Sequence, residues 1–316
     1  MFLIPVSGRA AENILNEKGS FVMDKVKRAI GYWCSDTRNK ICTGKDVGVA
    51  ILDTGLAPHP DFRGRVRMFK DCINHRNVPY DDSGHGTHVA GILAGSGCLS
   101  GGVLAGMAPE ADLIIVKMLD QKGEGSVDQI SEAVDWLKRN WRKYGIRIVN
   151  ISVGAREGIN REKEARIIQR VEELWDAGLV IIVSAGNFGP GKGTIAIPGT
   201  SRKVITVGAL SDEKKGFCCS GEGPTGSCIV KPDVLAPGNR IISCNYSFDK
   251  STKPYTVKSG TSMATPVVSG AMALLLSKYP EMSNVELKLK LRQSSRRIID
   301  GRMNGWGAIR VDALLE

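Results

Sequence analysis

Five short runs built mostly from Val, Ile and Leu constrain this chain more than any other feature. They lie at 47–52, 113–118, 148–153, 179–183 and 204–207. Each is too short for an ordinary helix and rich in β-branched residues, so each reads as a strand. Apolar residues stand at nearly every position rather than every second one, which is the pattern of a strand buried on both faces. Helical patterns separate the runs. Over 126–144, Val127, Ile130, Ala133, Val134, Leu137, Trp141 and Tyr144 recur at helical spacing, and Ser126 with Gln129 forms a capping box. A second helix over 162–177 turns Ala165, Ile168, Val171 and Trp175 inward and closes at Gly178. A third spans 264–277, and a fourth starts at Ser283 with Glu286 completing its box. Strands alternating with helices give an α/β fold, a mainly parallel central sheet flanked by helices on both faces. Residues 1–45 read as an irregular lead-in. Ligands of such sheets bind beyond the carboxyl ends of the strands.

Composition narrows the classes. A chain of 316 residues with 42% hydrophobic and 24% charged residues is neither disordered nor a disulfide-stapled miniprotein. Its longest apolar runs fall far short of the ~18 residues of a membrane span, so a soluble protein without membrane association is expected. The net charge of +10 is scattered over helices that also carry acids, which argues against a nucleic-acid partner. The eight cysteines show no CxxC pair and no Cys/His zinc spacing, and no secretory signal precedes them. Free thiols in a cytoplasmic protein are expected, with the vicinal Cys218 and Cys219 buried and inert.

Three motifs stand where chemistry is expected. Asp53-Thr54-Gly55 follows the first strand directly, placing a carboxylate at its carboxyl end, although Asp-x-Gly is also common turn chemistry. His85 and His88 lie in GHGTHVAG, residues 84–91, with small residues flanking His85 so that other groups can approach its ring. Two histidines three apart with no carboxylate between them do not form the HExxH zinc motif. Ser262 lies in SGTSMATP, residues 259–266, at the start of a buried helix. Backbone N–H groups there favour negative charge, which suits a serine whose attack creates an oxyanion; a plain N-cap is the alternative. A serine nucleophile needs a base within reach, and that base needs an acid to fix its tautomer.

Taken together, VAILDTG, HGTHVAG and SGTSMATP resemble the three catalytic signatures of subtilisin-family serine proteases, and Asp, His, Ser is the chain order known in subtilisin. VNISVG at 149–154, SAGN at 184–187 and PDVLAPG at 232–238 also match that family, so the likeness covers about 45–316. The resemblance implies a serine endopeptidase acting on proteins or peptides. Ser262 would be the nucleophile, His85 the base, Asp53 its orienting acid and Asn187 a donor to the oxyanion. Ser152, Val153 and Gly154 would pair with the substrate backbone. Ala185 and Gly186 would line the pocket for the residue before the scissile bond, with Ala196 at its floor and Phe188 at its rim. No acid stands in those segments, which favours an apolar side chain there. The alternative is an autoprocessing or peptide-binding regulatory pseudoprotease.

Asp61 matches a carboxylate that many subtilisins use for calcium, but the companion loop at 98–103 has no Asn or Asp, so an altered or weakened calcium site is expected. Leu3-Ile4-Pro5 resembles the short N-terminal extension of bacterial intracellular subtilisins. That likeness implies an inhibitory zymogen segment at 1–20 ahead of a catalytic domain at 21–316. The basic net charge departs from that branch, which tends to be acidic.

Overall fold

The computed structural model describes residues 23–156, 160–210, 219–248, 252–298 and 304–316. The expected segment at 1–20 and Cys218 lie outside them. Seven strands, β1 (Gly48–Asp53), β2 (Val66–Asp71), β3 (Asp112–Lys117), β4 (Ile146–Ile151), β5 (Val180–Ser184), β6 (Ile205–Leu210) and β7 (Val234–Pro237), form one sheet in the order β2-β3-β1-β4-β5-β6-β7. Every neighbouring pair in it is parallel. Strands β8 (Ile241–Cys244) and β9 (Tyr255–Lys258) form a separate antiparallel ribbon.

The helices are α1 (Met23–Ala29), α2 (Ser35–Arg38), α3 (His85–Ala94), α4 (Val127–Asn140), α5 (Arg161–Asp176), α6 (Thr261–Lys278), α7 (Asn284–Ser294) and α8 (Val311–Leu315). Successive strand side chains point to opposite faces, so each strand feeds two cores. Val49, Ile51, Ile148 and Ile182 join α3 and α6 on one face. Ala50, Leu52, Val149 and Ile181 join Ala133, Val134 and Leu137 of α4 and Val171 and Leu174 of α5 on the other. Helix α6 is apolar on every side because it runs through the core, with Met263 through Leu276 buried. Both expected capping boxes are present, Ser126 with Gln129 and Ser283 with Glu286.

Three readings of the sequence need correction. The lead-in is not irregular throughout: α1 and α2 form, and Met23, Val26 and Ile30 bury one helical stripe in the core. The run at 148–153 is shifted, since β4 ends at Ile151 and residues 152–154 leave the ladder. Strand β2 carried no clean apolar run, because it is an edge strand with alternating charges, and β7, though buried at all four positions, is only VLAP and too short to stand out. The chain passes from β1 out to β2, back to β3 beside β1, and then to β4 on the other side of β1. Such a reversal opens a crevice at the carboxyl ends of the strands it separates. Asp53 closes β1 at that crevice.

Candidate active site

Asp53 is fully buried at the end of β1, and its Oδ1 lies 2.7 Å from Nδ1 of His85, the first residue of α3. The Thr54 N–H also donates to that oxygen at 2.7 Å. The small residue after His85 allows this approach. A Cβ on Gly86 would lie 2.3 Å from the Gly55 carbonyl and 3.2 Å from Asp53 Oδ1. Burial pulls the imidazolium of His85 down in pKa, but the charge and hydrogen bond of Asp53 outweigh it and leave His85 above its ordinary value. The His85 side chain is 23% exposed, so the ring edge away from Asp53 reaches the crevice. His88, by contrast, is a core histidine: burial lowers its pKa to about 3 and its Nε2 lies 3.2 Å from the Thr256 carbonyl.

Ser262 is the second residue of α6, which packs along α3. No hydrogen bond joins Ser262 Oγ to His85 in this state; such contacts often tighten only around a bound substrate. The helix is preceded by Gly260 as its N-cap, whose φ of 145° residues with a side chain rarely adopt. The first N–H of α6 is taken: Asn187 Oδ1 accepts from the Thr261 N–H at 3.0 Å and from its hydroxyl at 3.2 Å. That holds the Asn187 amide with its Nδ2 facing away from Thr261, and among the described residues this nitrogen has no partner. The Ser262 N–H, in the first turn, has no helical acceptor either.

The β4–β5 ladder stops at Ile151 and Val183, and Ala155 next exchanges backbone bonds of 3.0 and 2.9 Å with Ile197. Between them Ser152, Val153 and Gly154 form an open strip. The strip is anchored from behind, where Asn150 Nδ2 donates to Ser152 Oγ at 2.9 Å and Ser269 of α6 donates to Asn150 Oδ1 at 2.8 Å. Ala196 stands between the strip and the segment of Ala185 and Gly186: its methyl would meet a Cβ on Gly154 at 2.8 Å and one on Gly186 at 2.6 Å. Ala196 is itself fully buried between them. Phe188 is exposed beside it. An apolar cleft of about 400 Å³ adjoins the strip, lined by Gly125, Ile130, Val134, Val153, Ile167 and Val171 among others.

A model of the subtilase family (Peptidase S8) matches residues 44–307. The chain belongs to the subtilase family. It is 43% identical over 291 residues to serine protease AprX of Bacillus subtilis (strain 168), covering 86% of this chain and 66% of that protein. It is 33% identical over 273 residues to subtilisin DY of Bacillus licheniformis, covering 85% of this chain and 91% of that one. Among solved structures, sphericase superposes with a TM-score of 0.74 at 30% identity, covering 85% of this chain and 92% of that one. The S41 psychrophilic protease gives 0.73 at 31%, with the same coverage. The subtilisin-like α/β architecture and the serine-protease family are thereby shown. No helix among the described residues is long and apolar enough to cross a membrane.

Three charged residues of this subtilase's site escaped the sequence reading. Asp81, buried just before α3, accepts from Thr54 Oγ1 (2.9 Å), Ser83 N (3.1 Å), Gly84 N (2.8 Å), Thr87 N (2.9 Å) and Thr87 Oγ1 (2.6 Å). It thus ties the turn after β1 to the start of the His85 helix. Burial pushes its carboxyl up, but these bonds outweigh burial and hold it below the ordinary value. An acid shortly before a helix start was the available signal. Lys117, fully buried at the end of β3, donates to the carbonyls of Thr54 (2.6 Å) and Leu119 (2.9 Å) and to Asp82 (2.8 Å). Lys258, at the end of β9, is a cation near enough to oppose protonation of His85. No local pattern marked either lysine.

Asp61 is buried as well, away from these groups. Subtilases commonly bind calcium. Calcium takes six to eight oxygen ligands. The Asp61 carboxylate instead receives the Gly97 N–H (2.9 Å), the Cys98 thiol (3.2 Å), the Cys244 thiol (3.6 Å) and the Tyr255 hydroxyl (3.1 Å). Hydrogen-bond donors and sulfur occupy the positions where calcium would need oxygen acceptors, so this shell does not fit calcium. The cysteines are free among the described residues; Cys42, Cys72 and Cys244 are buried, whereas Cys98 and Cys228 are exposed. Cys219 is half-buried, and its carbonyl accepts from Gly189 N at 3.1 Å, two residues after Asn187.

Proposed function

We propose that this chain is a serine endopeptidase with Ser262 as nucleophile, His85 as general base and acid, and Asp53 as its orienting acid. The observation that carries this reading is the 2.7 Å contact between buried Asp53 and His85 Nδ1, which fixes the tautomer with a free Nε2. Ser262 Oγ attacks the peptide carbonyl as its proton passes to His85 Nε2. The oxyanion is met by Asn187 Nδ2 and the Ser262 N–H. His85 then protonates the leaving amine, an ester remains on Ser262, and water activated by His85 hydrolyses it.

The substrate backbone pairs with the open strip of Ser152, Val153 and Gly154 as an added strand. A slot over Ala196, walled by Ala185 and Gly186, takes a medium or large apolar side chain. The neighbouring 400 Å³ cleft takes another apolar side chain of the same peptide. Residues 1–20 act as an inhibitory extension of the catalytic domain at 21–316, in a protein that works in the cytoplasm. Pro5 supports that reading, since proline lacks an N–H and fixes φ, which disfavours cleavage of the extension.

Labelling with a fluorophosphonate probe tests both parts. The chain lacking residues 1–20 is expected to label at Ser262 and the Ser262→Ala protein not at all, with the full chain labelling more slowly. A folded, truncated chain that does not label refutes the peptidase. Equal labelling of full and truncated chains refutes the inhibitory segment alone.

A further inference from the structure

The shell of Asp61 gathers ligands from three separate segments. His59 and Asp61 share one short turn, Cys98 lies in the loop after α3, and Cys244 ends β8. His59, Asp61 and Cys244 are all buried and hold their ligand atoms within 4.8 Å of one another. Cys98 Sγ lies 3.2 Å from Asp61 Oδ1, Cys244 Sγ 3.6 Å from Oδ2, and His59 Nδ1 3.7 Å from Oδ1. A tetrahedral zinc site with bonds of about 2.0–2.3 Å has edges of roughly 3.3–3.8 Å. The Asp61–Cys244 and Asp61–His59 separations are close to those edges, whereas Cys98 touches Asp61 but lies outside the group of mutually close atoms and completes the four only by moving in from its exposed loop.

We propose that His59, Asp61, Cys98 and Cys244 form a site for a soft divalent transition ion, zinc in the first instance. The surroundings hold the three buried ligands in place. His59 Nε2 lies 2.9 Å from the Pro254 carbonyl, so the ring proton belongs there and the lone pair of Nδ1 faces Asp61. At present that lone pair accepts from the Asp61 N–H at 3.2 Å, a contact the ion replaces. Tyr255 and Gly97 orient the carboxylate by donating to it. On binding, each thiol loses its proton to solvent and becomes a thiolate ligand. Zinc with two thiolates, one carboxylate and one imidazole carries one net negative charge. The Arg65 guanidinium, which donates to the Asp61 carbonyl, balances it. Cys98 is exposed while the other three are buried, which supplies the entry path. Two sulfurs and one nitrogen select zinc over calcium, because calcium prefers oxygen. The ion would link the turn at Asp61 to the loop after α3 and to the β8–β9 ribbon.

The test uses the full chain carrying Ser262→Ala to prevent self-cleavage, reduced, freed of metal by a chelator and kept under nitrogen. Cobalt(II) is the probe. One equivalent is expected to bind and produce the near-ultraviolet sulfur-to-cobalt charge-transfer band, and one equivalent of zinc is expected to abolish the band. Adding Cys98→Ser, at an exposed position, should weaken binding at least about tenfold and reduce the band. Adding Cys98→Ser with Cys244→Ser should eliminate it, whereas Cys34→Ser with Cys42→Ser should leave it intact. Absence of a charge-transfer band overturns the proposal. So does a band that survives loss of Cys98 and Cys244, or zinc displaced by equimolar calcium.

Discussion

Replacing Gly86 by alanine should damage catalysis far more than it damages the fold. The added Cβ would lie 2.3 Å from the Gly55 carbonyl, 3.1 Å from the Gly55 nitrogen and 3.2 Å from Asp53 Oδ1. Gly55 cannot retreat, since its own φ is +117° and a Cβ there would already be 2.1 Å from the Tyr80 carbonyl. Helix α3 must therefore move by about 1 Å to restore van der Waals contact. Overpacking of this kind costs about 1–3 kcal/mol. The helix starts at His85, so the same shift opens the 2.7 Å contact to Asp53. Misplacing a catalytic group by about 1 Å costs on the order of 10²-fold in rate.

The assay is kcat/KM on a chromogenic peptide, well below the melting temperature, beside Gly91→Ala as control. Gly91 is on the same helix, and its Cβ would meet Ser243 Oγ at 2.3 Å, Cys244 Sγ at 2.8 Å and Cys244 N at 3.0 Å, all in β8. The control is expected to melt earlier yet keep its kcat/KM. If Gly86→Ala retains more than about a tenth of wild-type activity, the geometric argument is wrong. Equal activity losses in the two variants would refute it as well, because general destabilisation would then suffice.

Three further outcomes follow from the site. Asp81→Asn should cost roughly 1–3 kcal/mol for each buried donor left unpaired. Because the Asp81 carboxyl is held below its ordinary value, its stabilisation is complete above about pH 4 and is lost as pH falls through the folded pKa. Denaturant curves between pH 2 and pH 5 should therefore fall more steeply for wild type than for Asp81→Asn; parallel profiles would count against it. Asn187→Asp keeps the oxygen that accepts from Thr261 but removes the donor. It should lower kcat by about 10²–10³, the size known for such a donor in subtilisin, with KM little changed; a KM effect alone would remove Asn187 from the oxyanion hole. Lys258→Met removes a cation that opposes protonation of His85, so the acid limb of kcat/KM should move to higher pH; a limb that stays in place would exclude that role.

The sheet was legible because burial on both faces leaves an apolar residue at nearly every strand position. β1, β3, β4, β5 and β6 all stood out for that reason; the charged edge strand β2 did not, and the fully buried β7 was too short to. Periodicity located Asp53, His85 and Ser262 at a strand end or a helix start, whereas the roles proposed for them came from the likeness of the three motifs to the subtilisin signatures. Asp81, Lys117 and Lys258 were not legible. Their roles depend on which chain ends the crossovers bring together, and a lone acid or lysine carries no trace of that. The same physics explains Asp61. Apart from His59, its neighbours at 98, 244 and 255 lie far off in the sequence, so the absence of a zinc motif was true locally and silent about the fold. A motif search samples sites built within one segment. The reversal of strand order at β1, and the return of the β8–β9 ribbon to the turn at Asp61, assemble sites from several segments. In this protein the chemistry outside the three signatures is of that second kind. Substitutions at Asp81, Lys258 and Cys98 will therefore say more about it than further substitutions within the motifs.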